Sequence, residues 1–179
     1  IIQEEDFNCP IIHKYRNFGR AKVISVKDWV LEHNPDVKVE LDKVYLDKNN
    51  YQGVISDYDI LVDCFDDLES KYLLNEIAIL IHGQTKGFFG QVTTFVPKKT
   101  ACFNCLTQKP PLIEQEKYST LSSVVNVTSS LQAQEVLKVI TGYGEPLLNK
   151  LLIFDGLKSE FKAIPYSKNP ICRCCSIYG

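Results

Sequence analysis

The chain has 179 residues, 45% hydrophobic and 23% charged, enough apolar material to bury a core in one domain. Its 20 Lys and Arg against 22 Asp and Glu leave a net charge of -2, which gives no electrostatic reason to bind nucleic acid or an anionic membrane. No apolar run approaches the roughly 20 residues that cross a bilayer and no charged-then-apolar leader opens the chain, so a cytoplasmic protein is expected.

The chain opens on Ile1-Ile2 and holds no Met, which suggests a fragment cut within a strand. Gly19-Arg20-Ala21-Lys22 leads into a helical pattern with Val23, Val26 and Val30 on one side, stopped at Asn34-Pro35. Val37, Val39 and Leu41 alternate with polar residues, as on a strand with one covered face. Asp59 to Phe65 is a short apolar run ending in acids, which reads as a strand of a parallel sheet buried on both faces. Residues 67–81 (DLESKYLLNEIAILI) carry a helical stripe in Leu68, Tyr72, Ile79 and Leu80, and Gln91 to Val96 returns as a strand. Ala101 to Tyr118 is a Cys- and Pro-bearing loop, too long for a simple connection. Ser122 to Thr141 predicts a long helix ended by Gly142, and Asp155-Gly156 joins Leu151–Phe154 to Glu160–Ile164 as a hairpin. The succession predicts one α/β domain over residues 1–179: a Rossmann-like, mostly parallel sheet continuing into an antiparallel hairpin. Ligands of such sheets sit beyond the carboxyl ends of the strands, which places Asp63, Asp66 and Asp67 at the rim.

Cys102-Phe103-Asn104-Cys105 and Cys172-Arg173-Cys174-Cys175 are two C-x-x-C units with 66 residues between them. Each turn aims two thiolates at one point, and two turns complete a tetrahedral sulfur site for Zn²⁺. Four protein ligands leave no open position, so the metal is expected to be structural, pinning the long loop to the tail. A pair of disulfides or one redox-active pair are the alternatives; a redox pair normally opens a helix, whereas Cys102 and Cys105 read as loop. By spacing, Cys174 competes with Cys175 for the fourth position. Cys9 and Cys64 have no partner by spacing, and Cys64 reads as a small core residue. His13, His33 and His82 show no metal spacing and read as surface or hydrogen-bonded residues. The sequon Asn126-Val127-Thr128 is a pattern common by chance.

Asp66 and Asp67, just past a strand, suit a hydrated Mg²⁺ for nucleotidyl chemistry, but by spacing alone the N-cap of the following helix is the better reading. Lys22 could meet phosphate oxygens, although an exposed Lys at a helix start is usually a solvated face.

The ordered set resembles the ThiF/MoeB/HesA family, the bacterial relatives of ubiquitin-activating enzymes. The resemblance runs through Ile1 to Ile12 (IIQEEDFNCPII), Gly19-Arg20-Ala21-Lys22 with Asn34-Pro35, and Val62-Asp63-Cys64-Phe65-Asp66-Asp67 with Tyr72-Leu73-Leu74-Asn75. It continues through Gly87-Phe88-Phe89-Gly90-Gln91-Val92, Ser130-Leu131-Gln132-Ala133 with Glu135, and Phe154-Asp155-Gly156. It implies ATP-dependent adenylation of the C-terminal glycine of a ubiquitin-like sulfur carrier of the thiamine or molybdopterin pathway (ThiS- or MoaD-type), carried out by a homodimer. Within it, Lys22 contacts phosphate, Asp66 organises Mg²⁺ and nucleotide with Asp67 beside it, and Asp6 and Asn8 complete the nucleotide site. Cys102, Cys105, Cys172 and Cys175 hold zinc.

Several positions depart from the family pattern. Its G-x-G-G-L-G phosphate loop and ribose-binding Asp belong upstream of Ile1, so this chain alone is expected to bind ATP poorly. Asp6 stands where the family has Asn, Cys9 where it has Arg, Asp67 where it has Asn, and Lys71 where it has Arg; the extra acid and lost guanidinium are expected to weaken polyphosphate binding. Gln115 stands where some members carry a conjugating Cys, so no thioester or persulfide is expected there. The alternative reading is a zinc-stabilised carrier-binding pseudoenzyme.

Overall fold

The computed structural model describes residues 1–8, 12–75, 77–107 and 120–176. The chain divides into two compact units, Ile1–Tyr45 and Leu46–Gly179.

In the first unit, 3-10 turns at Glu4–Asn8 and Tyr15–Asn17 precede helix α1, Lys22–His33. Ile2 is fully buried and its backbone bonds to Arg20 and Gly19, tying the opening residues to the turn before α1. Ser25, buried in α1, accepts from Asn17 Nδ2 at 2.9 Å and lies 3.2 Å from His13 Nδ1. Asn34, extended rather than helical, ends α1 before Pro35, as expected. The alternating stretch at Val37, Val39 and Leu41 is not a strand: no ladder partner lies beside it among the described residues, and Val37 and Leu41 are exposed. Alternation alone does not make a strand without a neighbour to complete its hydrogen bonds.

The second unit begins with α2 (Tyr51–Ile55), β1 (Ile60–Asp63), α3 (Leu68–Leu73), β2 (Ile79–Lys86) and β3 (Phe89–Phe95). It continues with α4 (Phe103–Thr107), α5 (Ser122–Thr141), β4 (Lys150–Asp155) and β5 (Glu160–Pro165). The five strands form one sheet in the order β1-β2-β3-β4-β5, with β1 and β2 parallel and every later pair antiparallel. This is the α/β, hairpin-ended architecture expected, but among the described residues the sheet is mixed rather than mostly parallel: only β1 and β2 pair in parallel, because the later strands follow one another through direct reversals or return antiparallel.

The helix predicted over 67–81 stops at Leu73, and Ile79 to Ile81 enter β2. The β-branched, apolar run gains more from parallel pairing with β1, in the register Ile60–Ile79 to Asp63–His82, than from prolonging a helix. β1 itself is covered on one face only: Leu61 and Asp63 are buried, while Val62 is 45% exposed.

α5 matches its expected bounds and ends at Gly142 in the left-handed conformation (φ 67°). It lies close on β2 and β3 because Gly83 and Gly90 lack side chains: a Cβ at Gly83 would stand 2.3 Å from the Gln132 side chain, and one at Gly90 2.2 Å from Thr128 Oγ1. Polar anchors then fix its register. Gln132 Nε2 donates to the carbonyls of Asp63 and Ile81, at 2.9 and 3.3 Å. Glu135, buried, accepts from Thr94 Oγ1 and Leu147 N, each at 2.7 Å. Among the described residues, no helix is long and apolar enough to cross a membrane.

Candidate functional site

Cys102, Cys105, Cys172 and Cys175 are all buried, and their Sγ atoms lie within 4.8 Å of one another. Cys102–Cys105, Cys102–Cys172 and Cys105–Cys175 stand at 3.9, 3.6 and 3.5 Å. Four sulfurs at about 2.3 Å from a central Zn²⁺ have tetrahedral edges of about 3.8 Å, whereas a disulfide needs about 2.05 Å. The donor set therefore fits a closed thiolate metal centre and not a pair of disulfides. Hydrogen bonding inside the cluster separates the thiols: burial opposes ionisation of Cys172, but backbone N–H groups of Cys175 and Cys174 and the neighbouring sulfurs bring it down to about 7, while burial pushes Cys102 and Cys175 up. A metal bound here would take thiolate ligands, the displaced protons passing to solvent.

Cys102 directly precedes the one-turn helix α4 and Cys105 lies within it, so the argument against a redox pair from loop placement does not hold. Convergence with Cys172 and Cys175 is what makes the pair fit a metal centre. Cys174 stands outside the quartet: its Sγ accepts from Asn75 Nδ2 at 3.0 Å, and the same side chain's Oδ1 accepts from Phe103 N at 3.0 Å.

The acids past β1 divide by role. Asp63 is buried, not at the rim: its Oδ2 lies 2.6 Å from His82 Nδ1 and 3.0 Å from Lys71 Nζ, and its Oδ1 accepts from Phe65 N at 2.9 Å. Lys71 also donates to the Gly83 carbonyl at 3.2 Å and is fully buried, so this lysine is the counter-charge of Asp63 and offers nothing to a polyphosphate. Asp67 accepts from Ser70 N at 2.7 Å as the N-cap of α3, and that bond holds its carboxyl below the ordinary range. Asp66 beside it is exposed, at the carboxyl end of β1.

Cys64 is exposed rather than part of the core. The residue presents surface to solvent, while desolvation at the thiol and the carboxylates of Asp63 and Asp66 hold it above the ordinary value. His82 is hydrogen-bonded, as one alternative foresaw, but fully buried.

In the first unit, Lys22 Nζ lies 2.7 Å from Asp6 Oδ1, and Gln3 N donates to Asp6 Oδ2 at 2.9 Å. Burial would raise the Asp6 carboxyl, but these two partners hold it below the usual range. A cation at the first turn of a helix opposes the helix dipole, and Asp6 offsets that charge. Asn8 ends the first 3-10 turn, while the departures at Cys9 and Gln115 fall outside the described residues.

The ThiF family model matches residues 1–174. The SAMP-activating enzyme E1 of Haloferax volcanii is 30% identical, aligned over 100% of this chain and 69% of its own. The adenylyltransferase and sulfurtransferase MOCS3 of Drosophila ananassae is 30% identical over 98% of this chain and 41% of its own, and MOCS3-1 of Zea mays 33% identical over 97% and 39%. The chain thus spans about two fifths of the MOCS3 relatives it matches. Among solved structures, Escherichia coli MccB with ATP superposes with a TM-score of 0.84 over 98% of this chain and 57% of that one, at 22% identity, a likeness of fold. The sulfur quartet, the acid corner and a family match over nearly the whole length agree: the chain belongs to the ThiF family.

Proposed function

We propose that this chain is the larger part of an E1-like adenylation domain that activates the C-terminal glycine carboxylate of a ubiquitin-like sulfur carrier, of the thiamine- or molybdopterin-pathway type. The reading takes residues 1–179 as one domain, acting in the cytoplasm as a homodimer, with the glycine-rich nucleotide loop supplied by residues outside this chain. What carries it is the family match together with Asp66, an exposed carboxylate at the carboxyl end of a sheet strand whose neighbour Asp67 is already occupied as a helix cap.

A carboxylate attacks a polyanion poorly, so catalysis is chiefly alignment and charge neutralisation. Mg²⁺, when bound with ATP, supplies that neutralisation. Asp66 would hold the hydrated cation, with Asp67 beside it. Lys22 would contact phosphate oxygens, and Asp6 and Asn8 would contribute to nucleotide binding, as the family resemblance implies. The attack by the carrier's terminal carboxylate on the α-phosphorus releases pyrophosphate and leaves an acyl-adenylate. Cys102, Cys105, Cys172 and Cys175 would hold Zn²⁺ as a closed structural clamp.

One observation favours a second reading. Asp6 stands where the family has Asn and engages the lysine assigned to phosphate, as a carrier-binding protein without ATP chemistry would tolerate. Carrier-dependent exchange of pyrophosphate into ATP separates the two. The first reading expects exchange in the full-length protein and its loss, by at least about 100-fold, in Asp66→Asn. Carrier binding with no exchange in the unaltered protein would establish the second.

A further inference from the structure

The Tyr72-Leu73-Leu74-Asn75 stretch is left without a task by the adenylation chemistry, yet its last residue occupies a singular place. The Asn75 amide touches both cysteine turns: Oδ1 accepts from the N–H of Phe103, between ligands Cys102 and Cys105, and Nδ2 donates to the sulfur of Cys174, next to ligand Cys175. The orientation is fixed by chemistry, since a flipped amide would set NH₂ against the Phe103 N–H. The same end of α3 is fastened to α4 by the hydrogen bond between Tyr72 Oη and Thr107 Oγ1 at 2.8 Å, and by edge-on packing of Tyr72 on Phe103 at 5.1 Å. At its other end α3 is capped by Asp67, adjacent to Asp66. A helix of six residues does not hold itself together in water, so its rigidity comes from these ends.

We propose that Asn75 is a positioning residue of the four-cysteine centre: it draws Cys174 aside so that Cys175 takes the fourth ligand position, and it joins the centre to α3, so that metal binding stiffens the corner that presents Asp66. The inference rests on the quartet taking a metal and is independent of adenylation. Hydrogen bonds around a ligand set orient it, and their removal weakens metal affinity about 10- to 100-fold.

The test uses the full-length protein, titrated with Co²⁺ against a chelator and read by its thiolate-to-cobalt absorption, with amide exchange followed in α3 and α5. The unaltered protein is expected to bind one equivalent and to slow exchange in α3 when it does. Asn75→Ala is expected to lose about 10- to 100-fold in affinity and the metal-dependent slowing of α3, with α5 unchanged. Asn75→Asp, which keeps the acceptor for Phe103 N–H but loses the donor to Cys174, serves as the second variant should the first fail to fold, and is expected to lose affinity likewise. Affinity and α3 protection equal to the unaltered protein would overturn the proposal, as would loss of α5 protection in both variants, which marks a general structural defect. Absence of the cobalt–thiolate absorption in the unaltered protein would overturn the metal reading itself, and this inference with it.

Discussion

His82 is fully buried beside Asp63 and Lys71, and its Nε2 atom has no hydrogen-bond partner among the described residues. Burial holds its pKa below the ordinary histidine value, with Asp63 opposing, so the ring is neutral and Nδ1–H donates to the carboxylate. Burial acts to raise Asp63, but the His82 hydrogen bond and the charge of Lys71 hold it below the usual range. The sign follows for both. As pH falls through about 6.5 the unfolded chain protonates His82 while the folded chain resists, and below about 4 the unfolded chain takes a proton on Asp63 first; each step removes stability on acidification. Urea unfolding between about pH 7 and pH 5 is expected to show a steeper loss in the unaltered protein than in His82→Asn; equal slopes would contradict the buried neutral imidazole. None of this cluster was legible in the sequence. Asp63 and His82 meet only because the parallel register of β1 and β2 places them side by side, and a register is set by the whole sheet. The sulfur quartet was legible, because each C-x-x-C turn brings its pair together locally and the fold has only to join the two turns.

At the scale of elements, legibility followed length and local punctuation. α5 could be read to the residue because a long helical pattern ends at a glycine that adopts φ 67°. The segment after Asp67 was misread because Leu68 to Leu74 and Ile77 to Ile81 join in one apolar pattern, and only pairing with β1 decides where helix yields to strand. The Gln132 and Glu135 anchors of α5 sat in recognised motifs, but their partners lie on other elements and could not be named beforehand. The seat of α5 makes its own prediction. Gly83→Ala should destabilise the protein by about 1–3 kcal/mol, because the new methyl meets a Gln132 side chain already held by two carbonyls. A lowered denaturant midpoint with unchanged slope would show it; an unchanged midpoint would mean that α5 moves away freely.

For the whole molecule, the cysteine centre ties α4 to the C-terminal segment across some 70 residues of chain, and a metal there adds its binding energy to folding. Chelation under reducing conditions is expected to lower the melting temperature before it alters any chemistry, with one Zn²⁺ released per chain; a metal-free protein that melts unchanged would remove the clamp. The acid corner at β1 is the other fixed feature, and the enzymatic reading depends on what it does with a nucleotide. The most direct measurement is the intact mass of a Gly-Gly-ended carrier incubated with the full-length protein, ATP and Mg²⁺, without a sulfur donor. The account predicts a carrier heavier by one adenylyl group, formed by the unaltered protein and not by Asp66→Asn. A carrier of unchanged mass in both, or an adduct formed equally by the variant, would contradict it.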